Sequence, residues 1–131
     1  MAIKSGSNTR ASLARSLRSA LARAATERPI HRWLVKNPLV LSAPVEGVAY
    51  PNHVVSAFKF GTDFVADFVG VGAYSGGISV HLVELEPPGS ALFTRRGFPA
   101  RRLNEAITQI GEWRRFIETQ RDVVVRELAK A

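Results

Sequence analysis

The chain has 131 residues, which is enough for one domain with a hydrophobic core and too few for two such domains. Apolar residues make up 46% of the sequence and charged residues 22%, values typical of globular proteins that exclude a disordered chain. Cysteine is absent, which excludes disulfides, thiolate metal sites and cysteine nucleophiles, so any metal must be held by oxygen ligands or histidine.

The net charge of +7 is unevenly distributed. Residues 1–36 contain eight Lys or Arg and one Glu, residues 37–94 one Lys and five acids, and residues 95–131 nine Lys or Arg and five acids. An acidic centre between basic flanks suits a metal-dependent enzyme acting on a polyanion, because carboxylates bind cations and basic side chains attract phosphates. The alternative is that the basic residues lie on solvated helix faces. No apolar run reaches the roughly 18 residues of a membrane span, so we expect a cytoplasmic protein without membrane contact.

The N-terminal segment, residues 1–26, is predicted to form a basic amphipathic helix. Leu13, Leu17 and Leu21 recur at four-residue spacing, and the other faces carry Arg and Ser. This helix could pack on the domain, pair with a second copy or lie along phosphates. Its composition, basic and without acids, is also shared with mitochondrial transit peptides.

A second helix is predicted to begin near Glu27 and Pro29 and to end before Pro38, with Trp33 and Leu34 facing the core. Residues 42–52 are rich in Pro and Gly and are predicted to form a loop.

Strands are predicted next, over residues 54–60, 63–71 and 78–86, separated by short turns at residues 61–62 and 73–77. Short turns between successive strands predict an antiparallel meander, which Pro87 and Pro88 end. After a loop that carries Arg95 and Arg96, a single long helix is predicted from Pro99 toward the C-terminus. Its apolar residues recur every three to four positions and predict a buried face. They are Leu103, Ile107, Ile110, Trp113 and Ile117.

Acidic side chains fall near the ends of two predicted strands. Side chains alternate between the two faces of a strand. In the second predicted strand this places Asp67 on one face with Asp63, Val65 and Val69, and in the third it places Glu84 and Glu86 on the same face. If the strands are neighbours with these faces aligned, Asp67 lies beside both glutamates, and a divalent cation would relieve their repulsion. Mg²⁺ or Mn²⁺ suits such oxygen ligands. The alternative is that the acids decorate an exposed edge of the sheet.

Four ordered segments of the chain resemble the Shedu anti-phage nuclease domain, a member of the PD-(D/E)xK superfamily. These are residues 58–69 (FKFGTDFVADFV), residues 83–88 (VELEPP), residues 92–97 (LFTRRG), and residues 103–110 (LNEAITQI) through Trp113-Arg114. The resemblance covers about residues 27–120. It implies an α+β fold with a PD-(D/E)xK restriction-endonuclease-like core over residues 27–131, in which helices flank the three-stranded meander.

The resemblance also implies a function and a site. The function would be that of a metal-dependent DNA endonuclease in anti-phage defence. Asp67, Glu84 and the backbone carbonyl of Leu85 would bind Mg²⁺ or Mn²⁺, Gln109 would orient a ligand or the phosphate, and Glu27 would add an outer carboxylate. Five basic residues would bind DNA: Lys59, Arg95, Arg96, Arg101 and Arg102.

Two departures from the family pattern leave alternatives open. Glu86 stands where the superfamily usually has Lys; it could act as a catalytic base or bind a second metal, Lys59 could supply the ammonium instead, or catalysis could be lost. The chain also ends at Ala131, where the family normally continues into another strand, so either a partner subunit completes the fold, as in a homo-oligomer, or the sequence is a trimmed or partial protein. The second hypothesis is therefore a non-catalytic module for DNA binding or oligomerisation.

RNA binding is a weaker third hypothesis. Few exposed aromatic side chains are expected for base stacking, since Trp33 and Trp113 are predicted to be buried. The three histidines, His31, His53 and His81, show no ligand spacing, and His81 is predicted to point away from the carboxylates.

Overall fold

The computed structural model describes residues 6–42 and 53–131. Its elements, in chain order, are α1 (Gly6–Arg23), α2 (Glu27–Lys36), a 3₁₀ helix (Pro38–Ser42), β1 (His53–Phe60), β2 (Phe64–Tyr74), β3 (Gly77–Val83), α3 (Arg101–Thr119) and α4 (Arg121–Lys130). The α+β class is thus confirmed. The loop predicted for residues 42–52 lies, except for its first residue, outside the described residues.

The three strands form one antiparallel sheet in the order β1-β2-β3, which confirms the predicted meander. The β1–β2 turn is tight at Gly61, whose φ of +68° favours glycine. A Cβ atom there would also lie 2.7 Å from the ring of Phe116, so the turn packs directly against α3.

Helices cover both faces of the sheet. On one face Phe58, Phe60 and Ala66 pack with Trp113 of α3 and Val124 of α4. Phe60 is fully buried, and its ring centroid lies 5.6 Å from that of Trp113 in an edge-to-face arrangement. On the other face Phe68 packs against Ile30 and Leu34 of α2. The carboxylate-bearing end of the sheet is therefore held between two helical layers.

Strand alternation is interrupted at Asp67. Ala66 and Val69 pack in the same cluster although they are three positions apart, an odd number, and Phe68 packs on the opposite face. Ala57, which lies opposite Asp67 in β1, has a φ of +52°. The residues on either side are paired across the strands, Ser56 with Phe68 and Phe58 with Ala66, but Ala57 and Asp67 are not. The prediction that Asp67 and Val69 share a face with regular alternation is therefore wrong. At this position the side-chain alternation changes phase in both strands while their register stays the same, and no sequence pattern at Ala57 indicates it.

β3 is shorter than predicted. It ends at Val83 rather than at residue 86, so Glu84 and Glu86 lie beyond the strand. The backbone N–H of Leu85 donates to the Asp67 carboxylate instead of to a backbone carbonyl, and Pro87 then prevents further pairing. Ile78 and Val80 of this strand are 71% and 41% exposed.

The C-terminal segment forms two helices rather than the single long helix predicted. α3 ends where the Thr119 hydroxyl donates to the backbone carbonyls of Arg115 and Phe116, and Gln120 leaves the helical region. Trp113 is buried as expected, but Ile107 and Ile110 are 55% and 52% exposed. The prediction of a continuous buried stripe fails there. The cleft beside this half of α3 is lined by polar residues such as Asn104, Thr108 and Gln109 and not by these two isoleucines.

α1 forms as predicted and packs on α2 through its C-terminal half. Ala20 and Ala24 contact the α2 cluster, and the indole Nε1 of Trp33 donates to Ser16 Oγ at 2.9 Å. Leu21, part of the predicted apolar stripe, is 40% exposed. Among residues 6–42 and 53–131, no helix has the length and apolarity needed to cross a membrane.

The positive φ of Ala57 generates the first prediction. Ala57→Val places a β-branched side chain in the left-handed region and should lower the free energy of unfolding by about 1–2 kcal/mol. Ala57→Gly should be tolerated, because glycine adopts this φ freely. Urea denaturation measures both. Ser56→Val is the matched control, since Ser56 is exposed on the same strand, and an equal loss there would contradict the account.

Candidate functional site

The Asp67 carboxylate is held where β3 ends, by the backbone of Leu85, the residue after Glu84. Its Oδ2 accepts a hydrogen bond from the backbone N–H of Leu85 at 2.8 Å. The β2–β3 register pairs Phe68 with Val83, so Asp67 lies opposite Glu84 at the next position. The predicted adjacency of Asp67 and Glu84 is therefore present, although Glu84 follows the strand rather than lying in it.

Glu84 is fixed from the other side by α3. The Gln109 side-chain amide donates to Glu84 Oε1 at 2.9 Å, and both side chains are partly buried. Leu82, two residues earlier, packs on the sheet face that α3 covers, which is consistent with Glu84 pointing toward α3. The sequence-predicted Asp67, Glu84 and Gln109 thus come together from β2, the end of β3 and α3.

The electrostatics of the pair favour a bound cation. Burial raises the pKa of Glu84 above its ordinary value of 4.5, the negative charge of Asp67 raises it further, and Glu86 adds to the effect. The hydrogen bonds from Gln109 and from the backbone of Asp67 oppose this shift by stabilising the ionised form. A carboxylate disfavoured by burial and by a neighbouring carboxylate would be stabilised by a divalent cation shared between the two.

Two residues concern the lysine that the superfamily usually has: Glu86, which stands in its place, and Lys59, which could supply the ammonium group instead. Both lie at the edge of the Asp67–Glu84 pair. Glu86 is exposed, and its Oε2 lies 3.6 Å from Arg102 Nη1. Lys59 is exposed on β1, where it pairs with Val65. It is two residues beyond Ala57, the residue of β1 that lies opposite Asp67. Glu86 is nevertheless close enough for its charge to raise the pKa of Glu84.

His31 is a neighbour of the site that sequence reasoning missed. Its Nε2 lies 4.0 Å from Asp67 Oδ1, and its ring stacks on Phe68 at a centroid distance of 4.6 Å. His31 follows Glu27 by four residues on α2, but its proximity to Asp67 depends on how α2 packs against the sheet, for which the sequence gives no signal. Glu27 itself makes no ion pair with any residue that the structure describes.

The other histidine singled out is His81, which pairs with Gly70 in the β2–β3 register. Its Nε2 is buried and has no hydrogen-bond partner within the described ranges. His81 is three positions before Glu84, so alternation places the two side chains on opposite faces.

The predicted DNA-binding arginines fall into two groups. Arg101 Nε lies 2.7 Å from Glu105 Oε1, and Arg102 lies against Glu86, so acids partly neutralise both. Arg95 and Arg96 are exposed and make no ion pair with any described residue.

An open cleft of about 780 Å³ adjoins the site. It lies between Asp63, Phe64 and Val65 at the start of β2 and the exposed side of α3, and Gln109 lines it. Gln109 therefore contacts both the carboxylate pair and the cleft.

Comparison with known proteins identifies the family. The family model described as Shedu protein SduA, C-terminal, matches residues 24–131. The chain belongs to this Shedu family. No curated protein and no solved structure matches the chain significantly. The matched range begins directly after α1 and includes Asp67, Glu84, Glu86 and Gln109.

The donor set of this Shedu domain fits a hard divalent cation. Two adjacent carboxylates and a nearby backbone are the ligands from which Mg²⁺ sites are commonly built, with water or phosphate completing the shell. Within the described ranges, no group of three or more His, Asp or Glu is arranged to hold a metal ion. The expected third carboxylate, Glu86, is therefore not part of a three-acid cluster.

The raised pKa of Glu84 generates the second prediction. Without metal, ionised Glu84 costs stability above its unfolded pKa, whereas protonated Glu84 does not, so its cost grows as the pH rises from acid toward neutral. Metal-free Glu84→Gln should therefore have a higher melting temperature than wild type at pH 7. The difference should disappear near pH 4. Calorimetric scans across this range measure it, and an equal difference at both pH values would contradict the assignment.

Proposed function

We propose that this Shedu domain is a divalent-metal-dependent DNA endonuclease of anti-phage defence, built on a PD-(D/E)xK-type core. The observation that carries the proposal is the adjacency of Asp67 and Glu84 at the end of the sheet, each fixed by its own hydrogen bond. Membership of the Shedu family supports the defence role. The order of the site residues, an Asp before an E-x-E and then a glutamine on the next helix, supports the nuclease core.

The chain's own residues would prepare this site for phosphodiester hydrolysis. Leu85 N–H holds Asp67 through Oδ2, and Asp67 Oδ1, which lies 4.0 Å from His31 Nε2, could bind a cation. Gln109 holds Glu84 through Oε1, and the Asp67 backbone also hydrogen-bonds to the Glu84 carboxylate. Mg²⁺ or Mn²⁺ would supply Lewis-acid stabilisation of the charge that develops on the phosphate. Gln109 has a second amide N–H, which could donate to a phosphate oxygen from the cleft.

Proton transfer is the step for which the chain departs from the superfamily. Glu86 lies next to Leu85 and could accept a proton from the attacking water, with Arg102 holding its carboxylate. The same contact favours a second candidate function. If Arg102 keeps Glu86 away from the water, the domain would bind DNA or assemble with a second copy without cutting.

The third prediction tests cleavage. Asp67→Asn keeps an acceptor for Leu85 N–H but removes the charge that binds the cation, so nicking of supercoiled plasmid with Mn²⁺ or Mg²⁺ should fall at least about a hundredfold. Asp122→Asn is the matched control, because Asp122 is exposed in the first turn of α4, does not line the cleft, and should retain full activity when replaced. Equal cleavage by Asp67→Asn and wild type would disprove the proposed site. Absence of cleavage by wild type would favour the second candidate.

The fourth prediction tests metal binding independently of activity. Mn²⁺ at a hundred times its dissociation constant should stabilise wild type by about 2.7 kcal/mol. Glu84→Gln should lose most of this gain and retain the hydrogen bond from Gln109. Glu118→Gln, at an exposed acid paired with Arg114 on α3, is the control and should keep the gain. Equal stabilisation of all three proteins would place the ion elsewhere.

A further inference from the structure

Residues 92–100 form an ordered loop that the proposed chemistry does not use. Phe93 and Pro99 form an antiparallel bridge, and Thr94 N–H donates to the Phe98 carbonyl at 2.7 Å. Ala100 N–H donates to the carbonyl of Leu92 at 2.8 Å, and Gly97, with a φ of +80°, closes the turn. The loop is therefore fixed by its own backbone rather than by burial of its side chains.

Apolar side chains point outward from this loop. Leu92 and Phe93 are each 58% exposed, and Phe98 is 65% exposed. We expected few exposed aromatics from the sequence, but that expectation considered only the tryptophans. An exposed ring held on a stiff backbone loses little conformational freedom when it contacts a partner.

The charge of the loop indicates the partner. Arg95 and Arg96 lie between the two phenylalanines and make no ion pair with any described residue, whereas Arg101 and Arg102 are paired with acids. Aromatic faces beside free guanidinium groups are the combination by which proteins bind single-stranded nucleic acid, with bases on the rings and phosphates on the arginines. A duplex offers its phosphates but hides its base faces, and separating stacked bases costs free energy.

The loop is connected to the candidate site. Its last residue, Ala100, precedes α3, where Arg102 contacts Glu86 and Gln109 contacts Glu84. A strand bound by the loop would therefore lie beside the helix that borders the carboxylates.

We propose that the loop of residues 92–100 binds unpaired DNA, with Phe93 and Phe98 stacking on bases while Arg95 and Arg96 bind adjacent phosphates. This rests on the proposed function and names its substrate class, which is DNA with a single-stranded segment. It also assigns the loop a role in strand binding separate from metal binding.

The test measures DNA binding by the full chain in EDTA, so that neither metal nor cleavage contributes. Oligonucleotides that contain 2-aminopurine report stacking by a fall in fluorescence, and anisotropy of single-stranded and duplex forms of equal length reports affinity. The Phe93→Ala, Phe98→Ala double variant should lose at least about tenfold in affinity for the single strand, with much less effect on the duplex. Replacing both phenylalanines by Leu should lose a similar amount, because leucine is apolar but cannot stack.

Tyr74→Ala is the matched control, since Tyr74 is an aromatic 55% exposed in β2 and should bind like wild type when replaced. Wild-type affinity in the double Ala or double Leu variant would overturn the proposal and leave the nuclease assignment intact. Equal losses for single strand and duplex would also overturn it. If wild type binds neither DNA form, the proposed function fails as well. Loss of binding to phosphatidylserine vesicles without loss of DNA binding would assign the loop to a membrane surface instead.

Discussion

The repulsion between two partly buried carboxylates is the constraint on which the site depends. Asp67 and Glu84 lie opposite each other, and burial and mutual charge raise the pKa of Glu84. Asp67 accepts a hydrogen bond from the Leu85 backbone, and Glu84 accepts hydrogen bonds from the Gln109 amide and from the Asp67 backbone. These bonds position the carboxylates but do not neutralise them. A divalent cation would do both, which is why the geometry supports a metal site more than a structural hydrogen-bond network.

The fold provides this arrangement through an irregularity. A regular strand would pair residue 67 through its backbone and continue β3 past Glu84. Ala57 instead adopts a positive φ, the alternation shifts in both strands, and the Asp67 side chain accepts the N–H of Leu85 where the ladder ends. Irregular backbone that persists in an otherwise well-paired sheet is common at functional sites, where it redirects a side chain.

Much of this architecture could be predicted from the sequence, because its signals are local. β-branched runs, tight turns and the diproline stop predicted three antiparallel strands, and the resemblance to the Shedu domain assigned site roles to Glu84 and Gln109. The shift at Ala57 could not be predicted, since alanine carries no preference for that conformation. The exposure of Ile107 and Ile110 was missed for another reason: periodicity predicts a face but not whether a partner covers it. His31 was missed because its proximity to Asp67 depends on tertiary packing of α2.

The arginines near the site fall into two groups, those paired with acids and those that are not. Arg101 and Arg102 lie against acids near the site, while Arg95 and Arg96 stand free on a loop with exposed phenylalanines. Net charge alone does not distinguish them, yet only unpaired cations remain fully available to phosphates.

A crystal structure of the protein soaked with Mn²⁺ tests the central claim most directly. The account predicts one anomalous peak coordinated by both Asp67 and Glu84, with Gln109 still bonded to Glu84. A peak that contacts only one of these carboxylates, or no peak at the end of the sheet, would contradict it.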